Sequence, residues 1–215
     1  MSSAPPSSRH EPWVAIGLPA LLFLGVLGQA GIWDPFELNV ADLGRRAAIH
    51  VLGASGLALP GAENRIPTLG DVGRNELPVM SIAVAFRLLG LSGWAGRLPM
   101  ALWGIAGVGA LWLWLRRMAG PRAGTYGALV LATTPLYFVQ ARTMLGDVVT
   151  MAAQIMAFAG LSVALLDPLP RGRGPWLLLG LLGLVAGFFS RGALIGVAVP
   201  ALAVGAAWVL AALNE

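Results

Sequence analysis

Long apolar runs separated by short polar stretches dominate the chain. Residues 1–12 (MSSAPPSSRHEP) are Ser/Pro-rich and read as a polar tail. From Trp13 to about Ile32 runs a 20-residue stretch without charge, the length of one bilayer crossing. A cleavable leader ending near Gly28-Gln29-Ala30 is the competing reading; the length of the apolar stretch favours an anchor. Five further apolar segments follow, at about 98–115, 123–141, 148–166, 176–189 and 193–213. Each approaches the length of a crossing when tilt is allowed. Small residues recur inside them, such as Gly104 and Gly107, or Gly180, Gly183 and Gly187, as expected where helices approach closely in lipid.

Between the first and second apolar segments the pattern changes. Residues 33–76 hold six of the ten acids in the chain: Asp34, Glu37, Asp42, Glu63, Asp71 and Glu76. Within this insert, Glu37 to Leu52 predicts a helix. Leu38, Ala41, Ala48 and Leu52 fall near one face and Asp42, Arg45 and Arg46 elsewhere, a pattern expected of a helix lying along the membrane surface. Residues 77–92 are apolar but short and carry Arg87. The loops 116–122 and 167–174 hold Arg116, Arg117, Arg122, Arg171 and Arg173, and the positive-inside rule places both in the cytoplasm. Counting back makes 77–92 an interfacial or re-entrant helix and puts the tail at 1–12 inside. The expected fold class is therefore all-α: a polytopic membrane protein of about six spans. The expected division is a cytoplasmic tail at 1–12 and one membrane domain at 13–215. That domain comprises an outer-face loop with amphipathic helices at 33–96 and a bundle at 97–215.

Composition agrees. Of 215 residues, 57% are hydrophobic and 11% charged, and mean hydropathy is +0.77. Soluble domains carry about 25% charged residues, so a soluble enzyme and a disordered chain are both disfavoured. The absence of cysteine excludes disulfides and thiolate chemistry, and two histidines, His10 and His50, cannot build a histidine-rich metal site. All fourteen basic residues are arginine and dispersed, so nucleic acid is not an expected partner.

Candidate chemistry gathers at one face. Asp147 interrupts an apolar run, with Arg142 five residues earlier; Arg191 interrupts another at Ser190-Arg191-Gly192. Ionisable groups near membrane depth are costly and tend to face polar cavities. Helix capping by Asp147 and a turn arginine at 191 explain the same residues without function. Asp34 and Glu37, with Pro35 between them, also form a helix-start pattern. Yet Asp34, Glu37, Asp147, Arg97, Arg142 and Arg191 all map to the outer face. Carboxylates serve as general bases and arginines hold phosphates, a combination suited to a phosphate head with a lipid tail.

Four stretches carry a resemblance. These are GIWDPFELNVADLGRRA, NELPVMSIAVAFRLLGLSGWAGRLPMALWGI, LATTPLYFVQARTMLGDVVTMAAQ and GLVAGFFSRGALIGVAVPALAV. In this order they resemble the motifs of the lipid-linked-sugar-dependent membrane glycosyltransferases, which include the aminoarabinose transferase of lipid A and the protein O-mannosyltransferases. The resemblance covers those enzymes' N-terminal module; family members generally continue with further spans. It implies a GT-C fold and transfer of a sugar from a polyprenyl-phosphate donor to a lipid, protein or glycan acceptor. It places the protein in a bacterial inner membrane with its active face outward. By it, Asp34, Glu37 and Asp147 are the catalytic acids, and Arg97, Arg142 and Arg191 hold the donor phosphate. The cofactor stays open: a divalent metal is the candidate, with no metal ligands assigned. The sequence departs from the family pattern where Phe36 replaces an acid, Glu76 stands for a lysine and Arg191 replaces a lysine. These departures raise the alternative of a degenerate or partial member. It would act as a non-catalytic membrane subunit beside a second subunit that supplies the missing helices.

Overall fold

The computed structural model describes residues 12–29, 31–32, 35–167 and 172–213. Among them there is no strand. The helices are α1 (Trp13–Leu24), α2 (Phe36–His50), α3 (Leu69–Val72), α4 (Glu76–Leu89), α5 (Gly93–Ala119), α6 (Pro121–Thr133), α7 (Pro135–Gln140), α8 (Asp147–Leu166), α9 (Arg173–Ala193) and α10 (Val199–Leu213).

Three helical runs are long and apolar enough to cross a membrane by length and composition: Gly93–Ala119, Asp147–Leu166 and Arg173–Leu213. The last is 41 residues long but is not one rod. At Gly192 the backbone turns through φ 78°, ψ −177°, and a Cβ on Gly187 would fall 2.3 Å from the carbonyl of Gly196. Residues nine apart along a straight helix lie about 13 Å apart at 1.5 Å per residue. The chain therefore doubles back at Gly192, and α9 and α10 are separate limbs. The expected segments 176–189 and 193–213 are these limbs.

Two other expected spans are interrupted. In the first apolar stretch the helix stops at Leu24, followed by Gly25 in extended conformation and Val26 at φ 50°. The segment 123–141 is broken at Thr134, whose extended ψ of 121° is the conformation a following proline favours. Pro135 then restarts the chain as α7.

Small residues set the packing. A Cβ on Gly160 would fall 2.1 Å from the backbone of Gly180, and one on Gly183 2.3 Å from that of Ala157. These contacts run in opposite directions along α8 and α9, so the two helices are antiparallel with backbones almost touching. The main apolar core joins α1, α4, α5, α7 and α8 through Phe23, Ile82, Phe86, Met100, Tyr137 and Val149, with Met144 of the 141–146 loop among them.

The insert folds onto one end of this bundle. Helix α2 packs its Gly44, Ala47 and Ala48 side against Val79, Ile82 and Ala83 of α4. The expected apolar face is inward at Ala41, Ala48 and Leu52 but not at Leu38. Arg45 and Arg46 are buried while Leu38 is exposed. The reason is partner supply. Arg45 donates to Asp42, to Asn64 Oδ1 at 2.6 Å and to the Glu63 carbonyl at 2.6 Å, so the loop at 57–64 covers the charged face. Arg46 is held by charge rather than by hydrogen bonds: its Nε lies 2.9 Å from Asp42 Oδ2 without hydrogen-bond geometry. The acceptors around Arg45 offset the cost of taking its charge out of water. The start of α5 lies at the insert end of the bundle. Arg116 and Arg117, in the last turn of the 27-residue α5, therefore lie at the other end, where Arg117 donates to Asp167 at 2.6 Å.

Candidate functional site

The first turn of α2 carries Glu37 inward. Its two carboxylate oxygens accept from Arg97 Nε and Nη2, each at 2.7 Å, and Oε1 also accepts from the Met144 amide at 3.0 Å. Arg97 donates further to the carbonyls of Leu27 (3.1 Å) and Gly31 (2.7 Å). The Arg97 and Glu37 side chains are 3% and 1% exposed. This is a bidentate buried pair that ties the segment after α1, the start of α2, α5 and the 141–146 loop to one point. The pair forms one wall of a cleft of about 210 Å³, shared with Leu27, Phe138, Val139 and Arg142.

Arg142 sits across that cleft with its guanidinium 5.3 Å from the centre of the Phe138 ring. It donates to the carbonyl of Leu22 and, at 2.8 Å, to that of Gly25. Those carbonyls were freed by the end of α1. Arg142 therefore caps the broken helix, a contact between residues about 120 apart that no local pattern reveals.

The second cluster lies where α4, α7, α8 and α9 meet. Gly146, at φ 89°, turns the chain into α8, and a Cβ there would meet Pro78 of α4 at 2.8 Å. Asp147 follows as the first residue of α8, where the helix dipole favours its charge. Arg191, on the last turn of α9, donates to Asp147 Oδ1, and Gln140 Nε2 donates to Oδ2 at 3.4 Å. Unlike the Glu37 pair, this one is open: Arg191 and Asp147 side chains are 39% and 36% exposed. Arg74 reaches the same corner with its side chain 3.6 Å from the position of a Gly192 Cβ, and Glu76 stands 3.8 Å from Arg74.

The structure thus sets the sequence candidates in two neighbouring places. Glu37, Arg97 and Arg142 line one cleft; Asp147 and Arg191 pair in the adjoining corner; the short 141–146 loop joins them. Asp34 lies outside the described residues. Gln140 and Arg74 belong to the corner but were missed in the sequence. Gln140 sits in a broken span, and its polarity among apolar neighbours was the available signal. Among the described residues no group of three or more acids or histidines is placed to hold a metal. Glu37 and Asp147 are each engaged by an arginine.

A tight antiparallel helical bundle of long apolar helices, an insert folded on one end and a buried charged pair beneath it define a polytopic helical membrane protein, and the solved structure it resembles gives it the GT-C glycosyltransferase fold. The crystal structure of ArnT from Cupriavidus metallidurans in the apo state is similar, with TM-score 0.73 and 21% identity over 94% of this chain and 37% of that one. The sequence profile described as dolichyl-phosphate-mannose-protein mannosyltransferase matches residues 78–213, and the chain belongs to that family. No curated protein sequence matches the chain significantly. The chain spans 37% of the length of the ArnT structure.

Proposed function

We propose that the chain is the catalytic membrane module of a glycosyltransferase that moves a sugar from a polyprenyl-phosphate donor to a lipid, protein or glycan acceptor. The observation that carries the reading is the Asp147 corner. It holds a carboxylate at a helix start, open to solvent, beside the Arg191 cation and at the end of the bundle covered by the insert. Asp147 takes the proton from the acceptor hydroxyl or amine. The acceptor oxygen or nitrogen bonds to the anomeric carbon, the bond from that carbon to phosphate oxygen breaks, and polyprenyl phosphate leaves with the electron pair. Arg191 faces the departing phosphate. A half-exposed ion pair is worth about 0–1 kcal/mol, so Asp147 and Arg191 separate at little cost when substrate arrives.

Glu37 has the other role. With its oxygens committed to Arg97 and Met144, it acts as a positioning residue that fixes the loop leading to Asp147. An apolar groove of about 320 Å³ runs between α7 and α8 past Tyr137, Met151, Ile155 and Phe158. It begins one helical turn from Gln140 and Asp147 and suits a prenyl chain. Arginine at the opposite bundle end (Arg116, Arg117 and Arg122) supports a cytoplasmic side there, and therefore an outward-facing active site in the bacterial inner membrane.

The second reading, a non-catalytic family member, is favoured by Glu76 and by the commitment of both Glu37 oxygens. Proteoliposomes carrying the protein and a panel of radiolabelled polyprenyl-phosphate hexoses and pentoses separate the two. The proposal expects transfer or release of label from at least one donor, on the side opposite Arg116 and Arg117. Folded protein that turns over none of them supports the second reading.

A further inference from the structure

Arg116 and Arg117 in the last turn of α5 mark one membrane face. About 20 helical residues cross the hydrocarbon, so counting back from Arg116 brings the opposite boundary to the first turn of α5, near Trp94. Trp94 is half-exposed there, as aromatic side chains are at lipid–water boundaries. At this level a cleft of about 300 Å³ lies under the insert, and it shares no wall residue with the cleft of Glu37, Arg97 and Arg142. The bundle side supplies Phe86, Leu91 and Met144; the insert and the segment before it supply Ile32, Leu38 and Leu59. Ile32, Leu38, Leu59 and Leu91 are 42–47% exposed, so large apolar side chains stand open at the boundary. The polar groups of the wall are already engaged. Arg45 holds Asp42, Asn64 and the Glu63 carbonyl, Asp42 also faces Arg46, and the Ser92 hydroxyl oxygen accepts from the Ala95 amide at 3.2 Å. What remains unsatisfied is the apolar wall.

The end of α4 adds a charge. Arg87 stands in its last turn, between the wall residues Phe86 and Leu91 in the chain, and is exposed. Among the described residues no carboxylate pairs with it. Leu88 beside it is 73% exposed. A free cation next to open apolar surface at this boundary complements a molecule with an anionic head and an apolar tail. The bilayer itself supplies one. We infer that the cleft takes one acyl chain of an anionic phospholipid, with the lipid phosphate against Arg87. The groove between α7 and α8 has a different wall, so this lipid and a prenyl chain there do not compete. Met144 lines the cleft while its amide holds Glu37. A chain lodged there packs against the loop that leads to Asp147 and ties the insert to the bilayer. The inference stands apart from the transferase reading.

Photolabelling tests the site without turnover. The full chain is placed in nanodiscs of phosphatidylcholine holding a sub-saturating share of phosphatidylglycerol with a diazirine on one acyl chain. After illumination, mass spectrometry locates the labelled residues. Wild type should carry label on Leu38, Leu59 or Leu91 several-fold above that on Leu202 and Leu213, exposed apolar residues of α10. Leu38→Trp fills the cleft from a half-exposed position and should lower cleft labelling several-fold; Leu59→Trp is the second filler should Leu38→Trp fold poorly. Arg87→Gln should lower it about fivefold, the worth of one arginine at an anionic lipid surface. Labelling of α10 should stay constant throughout. Cleft labelling no higher than that of α10, or unchanged by the filler or by Arg87→Gln, overturns the inference. So does a cleft labelled by a photoactivatable polyprenyl phosphate and not by the phospholipid, which assigns it to a prenyl chain instead.

Discussion

Replacing Arg97 with methionine removes two bonds to Glu37 and strands the carbonyls of Leu27 and Gly31. A single neutral hydrogen bond is worth about 1 kcal/mol, but the carboxylate left behind costs more. Glu37 then relies on the Met144 amide in a site where its side chain is 1% exposed. Breaking a buried pair from one side costs about 3–5 kcal/mol. At about 2–4 °C per kcal/mol for a chain of this size, Arg97→Met should melt about 6–20 °C lower. Glu37→Met alone strands the guanidinium but leaves it two carbonyl acceptors, so it should cost less. The double variant Glu37→Met/Arg97→Met leaves neither charge unpaired and should recover most of the loss. Thermal stability followed by size-exclusion chromatography in detergent measures all four proteins. Additive losses in the double variant, or an Arg97→Met protein as stable as wild type, would refute the argument that the pair is a mutual lock.

Three further outcomes follow from other contacts. Gly160→Leu should force α8 from α9, because a Cβ already falls 2.1 Å from Gly180 N; overpacking costs about 1–3 kcal/mol or more, read as poorer monodispersity and a lower melting point. Tyr137→Phe removes a buried bond to the Gly104 carbonyl of 2.8 Å and should cost about 1 kcal/mol in the same assay. In the insert, the Thr68 amide first, then Arg65 and the Thr68 hydroxyl, hold the Asp71 carboxyl down at about 2. A depressed acid stabilises the fold above its unfolded pKa of about 3.9, and that contribution is lost as pH falls through about 2. Protection of amides 66–73, taken relative to their intrinsic exchange rate at each pH, should therefore fall between about pH 4 and 2, and Asp71→Asn should flatten the change.

Periodicity and charge were enough to reveal a helical membrane protein with a polar insert, because lipid forces long apolar runs to be helices. They located α2 within two residues at each end, Phe36–His50 against an expected 37–52. They placed Ala41, Ala48 and Leu52 on the inward face but missed that Arg45 and Arg46 are buried and Leu38 exposed. Burial of Arg45 depends on the Glu63 carbonyl and Asn64, 18 and 19 residues away, and amphipathicity within one helix carries no record of such partners. The broken first segment was hidden for a similar reason: Arg142, about 120 residues along the chain, satisfies the freed carbonyls. For the site, the four ordered motifs pointed to Glu37, Arg97, Asp147 and Arg191 as residues of one region. What no motif carried was the difference between a sealed pair and an open one, since burial is set by the insert folding over the first and leaving the second uncovered.

The account rests on Asp147 as the acid that handles the acceptor proton. The direct measurement is single-turnover transfer from the best polyprenyl-phosphate sugar by wild type and by Asp147→Asn, with melting points recorded for both. The account predicts a loss of about 10²–10⁴-fold, the worth of a general base, with donor affinity and melting point little changed. An Asp147→Asn protein that transfers sugar at the wild-type rate would contradict it.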